Sequence, residues 1–160
     1  MSVLLDLLTP TAVLGCGLVG GIFFAFSTFI MSALGRLPPN EGIAAMQAIN
    51  ITVLNPWFFT AFFGTAAVCL VLGVLALTGW DGAHVGYSMG GSGLYLLGTI
   101  LVTIAFNVPL IDRLAKVAPE STDGAALWAH YLVRWTFWNH VRTAAALAAA
   151  ASFMVAIVSR

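Results

Sequence analysis

The sequence predicts an all-α integral membrane protein, a four-helix bundle with a short interfacial helix between spans one and two and a helical extension before span four. Three observations carry that prediction. Of 160 residues, 61% are hydrophobic and only 8% charged, so six acidic and six basic side chains cannot cover the surface of a soluble fold of this length. Four stretches are apolar and long enough to cross a hydrocarbon core about 30 Å thick at about 1.5 Å per residue. Clusters of proline, glycine and asparagine separate them. The length allows one domain, 1–160, with spans at about 12–34, 56–78, 92–111 and 138–158.

The first span comes from Ala12 to Leu34, 23 residues without a charge. Within it Gly17 and Gly21 stand four residues apart, a spacing that lets helices approach closely in lipid. Val13-Leu14-Gly15-Cys16 has the outline of a lipoprotein cleavage site, but no basic segment precedes it and Asp6 intervenes, so the span is expected to be retained. Pro38-Pro39-Asn40 then stops the chain. Glu41 to Leu54 reads as a short helix along the membrane surface, with Met46, Ile49 and Val53 on one side. Asn55 is suited to cap the second span, with Pro56 in its first turn and Trp57 at interface depth.

Trp80-Asp81-Gly82 opens a polar, glycine-rich link expected to continue through Gly90-Gly91 and to join antiparallel neighbours. The third span, roughly Ser92 to Ile111, carries Asn107 and Pro109 in its last turns. Pro109 removes a backbone donor there and frees a carbonyl for a neighbouring polar group. Ser121-Thr122-Asp123 resembles a helix start, and no proline follows it, so one helix or a kinked pair runs to the C-terminus. The fourth span is expected to begin near Trp138, with Arg142 about one turn inside.

Four spans put both termini on one side. Arg36, Arg113, Lys116 and Arg134 fall on the other, against Arg160, so both termini should face away from the cytoplasm. A bacterial inner membrane is the expected location. Zero net charge and the lack of a Lys/Arg cluster argue against nucleic acid. Cys16 and Cys69 sit in apolar stretches, where free buried thiols are expected rather than a disulfide. No metal-ligand spacing or nucleophilic triad is visible, and Gly90-Gly91-Ser92-Gly93 lacks the lysine a phosphate loop needs. A bis-histidine haem is disfavoured, because His84 lies on the opposite side from His130 and His140.

The candidate site is a stripe. At about 100° per residue, Trp128, Tyr131, Trp135, Trp138, Asn139 and Arg142 fall within roughly a 100° arc, whereas His130, Phe137 and His140 point elsewhere. A charge at the centre of a span costs at least about 2.5 kcal/mol, so an intramembrane arginine is a functional candidate. Asn107, at similar depth on the third span, could converge with Asn139 and Arg142. Arg142 could then hold a carboxylate or oxyanion, while Tyr131, Trp135 and Trp138 form flat walls for a planar substrate. Asp112 could neutralise Arg142, and His140 has the chemistry of a general base despite its angle. The competing interpretation is an interfacial aromatic belt with a snorkelling arginine.

Five segments together resemble the anthrone oxygenase-like membrane family: Phe24-Ala25-Phe26-Ser27, Met46-Gln47-Ala48-Ile49-Asn50, Asn55-Pro56-Trp57, Phe106-Asn107-Val108-Pro109-Leu110 and Trp135 to Arg142. The resemblance covers nearly the whole chain. That family includes bacterial proteins of unknown function and fungal enzymes that oxidise an anthrone to an anthraquinone. It implies roles for Asn107, Pro109, Trp135, Asn139 and Arg142, while Asp112 departs from the asparagine frequent in relatives. The implied chemistry is deprotonation of an anthrone- or quinol-like substrate and reaction of its carbanion with dioxygen. On that basis the catalytic candidates are Arg142, Asn139, Asn107, His140 and Asp112, and the substrate-binding candidates are Trp128, Tyr131, Trp135, Trp138 and Asn55. No cofactor or metal is expected, with haem, flavin and copper left open. Expected partners are the bilayer, a lipophilic aromatic molecule, and a second copy or a membrane complex. The alternative is a non-catalytic accessory subunit or binding protein, packed on its partners through small residues such as Ala144 to Ala151.

Overall fold

The structure, a computed structural model, describes residues 2–78 and 83–159. Four helices in it are long and apolar enough to cross a membrane: Val3–Leu34, Pro56–Leu77, His84–Leu114 and Thr122–Val158. They carry apolar side chains on their outer faces as well as inside. Leu14, Leu18, Phe29, Leu70, Leu97 and Ile104 all project outward and exposed. A helix that is apolar all round belongs in lipid, so the chain is an integral membrane protein. Each span packs on its neighbours in sequence, and the fourth closes the ring against the first. This is an antiparallel four-helix bundle.

Several boundaries differ from the sequence-based expectation. The first helix begins at Ser2, well before Ala12, and carries Pro10 inside it. The third is helical from Ala83, so the glycine-rich stretch through Gly90-Gly91 belongs to the span. Tertiary packing overrides glycine's poor helix propensity: a Cβ on Gly91 would lie 2.9 Å from the Phe153 ring, which occupies that space. The predicted link at Trp80-Asp81-Gly82 lies outside the described residues. In the fourth span there is no break: Thr122–Val158 is one α-helix of 37 residues, about 55 Å long and longer than a bilayer core.

The close-contact glycines also differ from those expected. Among the described residues nothing lies within 4 Å of where a Cβ on Gly17 or Gly21 would stand, whereas Gly15 abuts Thr65 and Gly20 abuts Leu147. The face of the first helix that meets its neighbours is rotated away from the Gly17/Gly21 pair. Ala145, Ala146 and Ala149 are buried within the bundle, so much of the alanine run packs on this chain itself. Cys16 and Cys69 are free, buried and 3.9 Å apart at the contact of spans one and two.

Pro39–Thr52 forms the short helix after span one. It does not stand apart: Gly42, Ile43 and Met46 are buried, and a Cβ on Gly42 would meet the Trp128 indole at 2.9 Å. Gln47 Nε2 donates to the carbonyls of Leu114 and Val117 at 2.8 and 3.1 Å, tying this helix to the end of span three. Its inner face therefore seals one end of the bundle.

Spans one to three are interrupted by π-helical stretches, Phe26–Ile30, Thr60–Gly64, Leu96–Leu101 and Thr103–Asn107. The widened turns present carbonyls that side chains reach. Tyr95 donates to the Phe62 carbonyl at 3.0 Å, and Thr103 to the Thr99 carbonyl at 2.7 Å. Thr103–Asn107 runs directly into the α-helical segment holding Pro109, so the missing proline N–H falls beside the seam between two helix types. Such π stretches are frequent at functional sites.

A buried arginine beside an aromatic cavity

Five of the six stripe residues on the fourth helix face inward. Trp128, Tyr131, Trp135, Asn139 and Arg142 are all buried, while His130, Phe137 and His140 are exposed. Trp128, Tyr131 and Trp135 stack in sequence with centroids 5.7 and 5.8 Å apart and planes 17° and 15° from parallel. Two turns further on, Arg142 is only 4% exposed. Its Nη2 donates to Asn139 Oδ1 at 2.6 Å and its Nη1 to Thr103 Oγ1 at 3.2 Å, while Nε has no partner among the described residues. The guanidinium lies over the Phe23 ring at 4.1 Å and near that of Trp135 at 5.2 Å, which returns part of its lost hydration as cation–π attraction. Among the described residues no carboxylate pairs with it.

Asn139 is the hub. Its amide nitrogen donates to the Phe23 carbonyl and to Ser27 Oγ, both at 2.7 Å. That fixes the amide orientation and leaves the oxygen for Arg142. Thr143 donates to the Asn139 carbonyl at 2.8 Å, so the 3.1 Å contact between Ser27 and Thr143 has Ser27 as donor. A closed circuit of hydrogen bonds thus locks span four to the π-helical part of span one.

Arg142 and Trp135 form one wall of a cavity of about 190 Å³. Phe23, Phe26, Phe62, Met46 and Ile49 supply much of the remainder, with Thr103 and Asn50 as polar points. Exposed Leu54, Phe59, Phe63 and Val108 lie at its outer edge. The site can hold an apolar, aromatic-sized body with a negatively charged or strongly accepting oxygen against the guanidinium.

The other predicted site residues fall elsewhere. Asn107 is fully buried but sits one turn from Arg142, its amide donating to the Trp135 carbonyl at 3.2 Å and its oxygen unpaired. Trp138 stacks on Phe106 at 3.7 Å, half-buried on the outer side and away from the cavity. Trp128 packs over Gly42 rather than lining the cavity. Asn55 caps the second span, accepting from the Phe58 N–H at 3.0 Å, and does not line the cavity. Asp112 and His140 are exposed, and neither borders the cavity. The suggested Asp112–Arg142 pairing does not form. Helix register explains this: Thr103, one turn before Asn107, is the residue level with Arg142.

Sequence reasoning assigned no role to Thr103, Phe23, Ser27 or Asn50. A signal existed for two of them, since Ser27 and Asn50 lie in the segments that carried the family resemblance. Thr103 lies one turn from Asn107, a spacing that sequence alone displays.

A four-span helical membrane protein with a buried arginine–asparagine pair beside an aromatic cavity is the class that fold and site define. Within that class, residues 57–152 match the anthrone oxygenase family, and the chain belongs to it. The match covers spans two and three and most of four, including Thr103, Asn107, Trp135, Asn139 and Arg142. No curated protein and no solved structure matches the chain.

Proposed function

We propose that this protein is a membrane oxidoreductase of oxygenase type acting on a lipophilic aromatic molecule, anthrone- or quinol-like, taken from the lipid phase. The observation that carries this reading is Arg142: buried, without a carboxylate partner among the described residues, and bordering an aromatic cavity. Family membership suggests the reaction type. A ring oxygen against the guanidinium would become more negative as the substrate loses a proton. Arg142, held by Asn139 and Thr103, stabilises that enolate or phenolate in a low-dielectric site. The carbanion then reacts with dioxygen; overall a methylene becomes a carbonyl, one oxygen atom entering the product and the other leaving as water. In this reading no cofactor is required. Asp112 and His140 lie outside the cavity, so the proton passes to water.

The protein is further proposed to sit in a bacterial inner membrane with both termini away from the cytoplasm. A second reading, a binding or accessory protein for a lipophilic anion, is favoured by one observation: among the described residues no carboxylate or imidazole lines the cavity. One experiment separates the two. Purified protein supplied with an anthrone in an oxygen electrode should consume oxygen and form an anthraquinone. Arg142→Gln should lower turnover about 10²- to 10³-fold, the range for losing an oxyanion donor, while the protein stays in the membrane. Unchanged turnover would remove Arg142 from the mechanism, and binding without oxygen uptake would favour the second reading.

A further inference from the structure

A second, polar groove runs along the seam of spans one and four. It is lined by Ser27, Met31, Ser32, Arg36, Leu132 and Thr136, with Gly35 beside them. Its mouth is at exposed Arg36, where the first helix ends, and its inner end is Ser27. Nine residues at about 1.5 Å each put the two about 13 Å apart along the helix. Ser27 is also the residue to which Asn139 donates, and Asn139 holds Arg142. The groove and the aromatic cavity therefore lie on opposite sides of one trio, Ser27, Asn139 and Arg142.

Two details say what the groove takes. Ser32 and Arg36, both exposed, bring a hydroxyl and a guanidinium to the groove wall. Ser27 Oγ accepts from Asn139 and donates to Thr143, which leaves it one acceptor lone pair. A small molecule that both donates and accepts satisfies both; a lipid acyl chain satisfies neither and leaves polar atoms unpaired at a cost.

We propose that this groove is an aqueous vestibule, filled by water from the Arg36 end as far as Ser27. Asn139 and Arg142 are then wetted through Ser27 on one side and face an apolar ligand on the other. This accounts for a guanidinium that stays inside a span without a carboxylate partner among the described residues: water reaches Ser27, two hydrogen bonds away, and water penetration is one way a bilayer lowers the cost of a buried charge. If the oxygenase reading holds, the vestibule also brings water, the proton acceptor, close to Arg142 without crossing lipid. The vestibule itself does not rest on that reading.

Cysteine accessibility in lipid nanodiscs tests it. In a Cys16→Ala, Cys69→Ala background, Ser32→Cys and Ser27→Cys are each treated with a charged, membrane-impermeant methanethiosulfonate. Phe29→Cys is the control, at similar depth on the first span but lipid-facing and 60% exposed. Ser32→Cys should react at least about tenfold faster than the control, because the reagent attacks thiolates and thiolates need water. Ser27→Cys should react more slowly than Ser32→Cys yet faster than Phe29→Cys. If Ser32→Cys reacts no faster than Phe29→Cys, or only an apolar maleimide labels both, lipid fills the groove and the proposal falls. Ser32 lies outside the hydrogen-bonded trio, so its variant reports even where Ser27→Cys does not fold. Labelling is read without substrate, so loss of the oxygenase reading leaves the result intact.

Discussion

Asn139 does more for this site than its neutral side chain suggests. It donates to Phe23 and Ser27 and accepts from Arg142, so each of its amide groups is committed to another part of the molecule. Replacing it with leucine keeps the approximate volume and removes all three bonds at once. Hydrogen bonds between membrane helices average about 0.6 kcal/mol each, and an arginine stripped of its best acceptor adds more. Asn139→Leu should therefore cost at least about 2 kcal/mol, seen as a lower thermal unfolding midpoint in detergent. An unchanged midpoint would mean that the circuit is ornamental. The residue scale is also where the sequence was most legible. Burial of Asn139 and Arg142 with exposure of His140 follows from helical angle, a property of consecutive residues. Thr103 as the partner of Arg142 does not, because it depends on how far span three slides along span four.

Among the elements, the short helix Pro39–Thr52 shows how glycine sets helix approach. At Gly42 an added Cβ would meet three atoms of the rigid Trp128 indole at 2.9 Å, whereas at Gly17 it would meet none of the described residues within 4 Å. Gly42→Ala should destabilise the protein by about 1–3 kcal/mol through overpacking. Gly17→Ala should be neutral or stabilising by up to about 1 kcal/mol, through better helix propensity. Thermal midpoints of the pair in one detergent check this, and equal losses at both positions would contradict the packing described. A four-residue glycine spacing is visible in the chain at 17 and 21, yet on the first span the close contacts lie at Gly15 and Gly20. Spacing shows that close approach is permitted; the neighbouring helix decides where it happens.

For the whole molecule, antiparallel packing gathers Arg36, Arg113, Lys116 and Arg134 toward one end of the bundle. If that end is cytoplasmic, a reporter active only in the cytoplasm should be silent when fused to the C-terminus and active when inserted near Lys116. A strong C-terminal signal would invert the orientation. The sequence by itself determined the four spans and the inward stripe, because hydropathy and helical angle are local properties of a chain in lipid. Only the tertiary structure decided that Thr103, Phe23 and Ser27 meet the stripe, that Asp112, His140 and Trp138 stand outside it, and that the glycine-rich stretch through Gly91 is helical. The reason is register: side-chain packing and π-helical offsets set which turns of neighbouring helices face each other, and no single span encodes that.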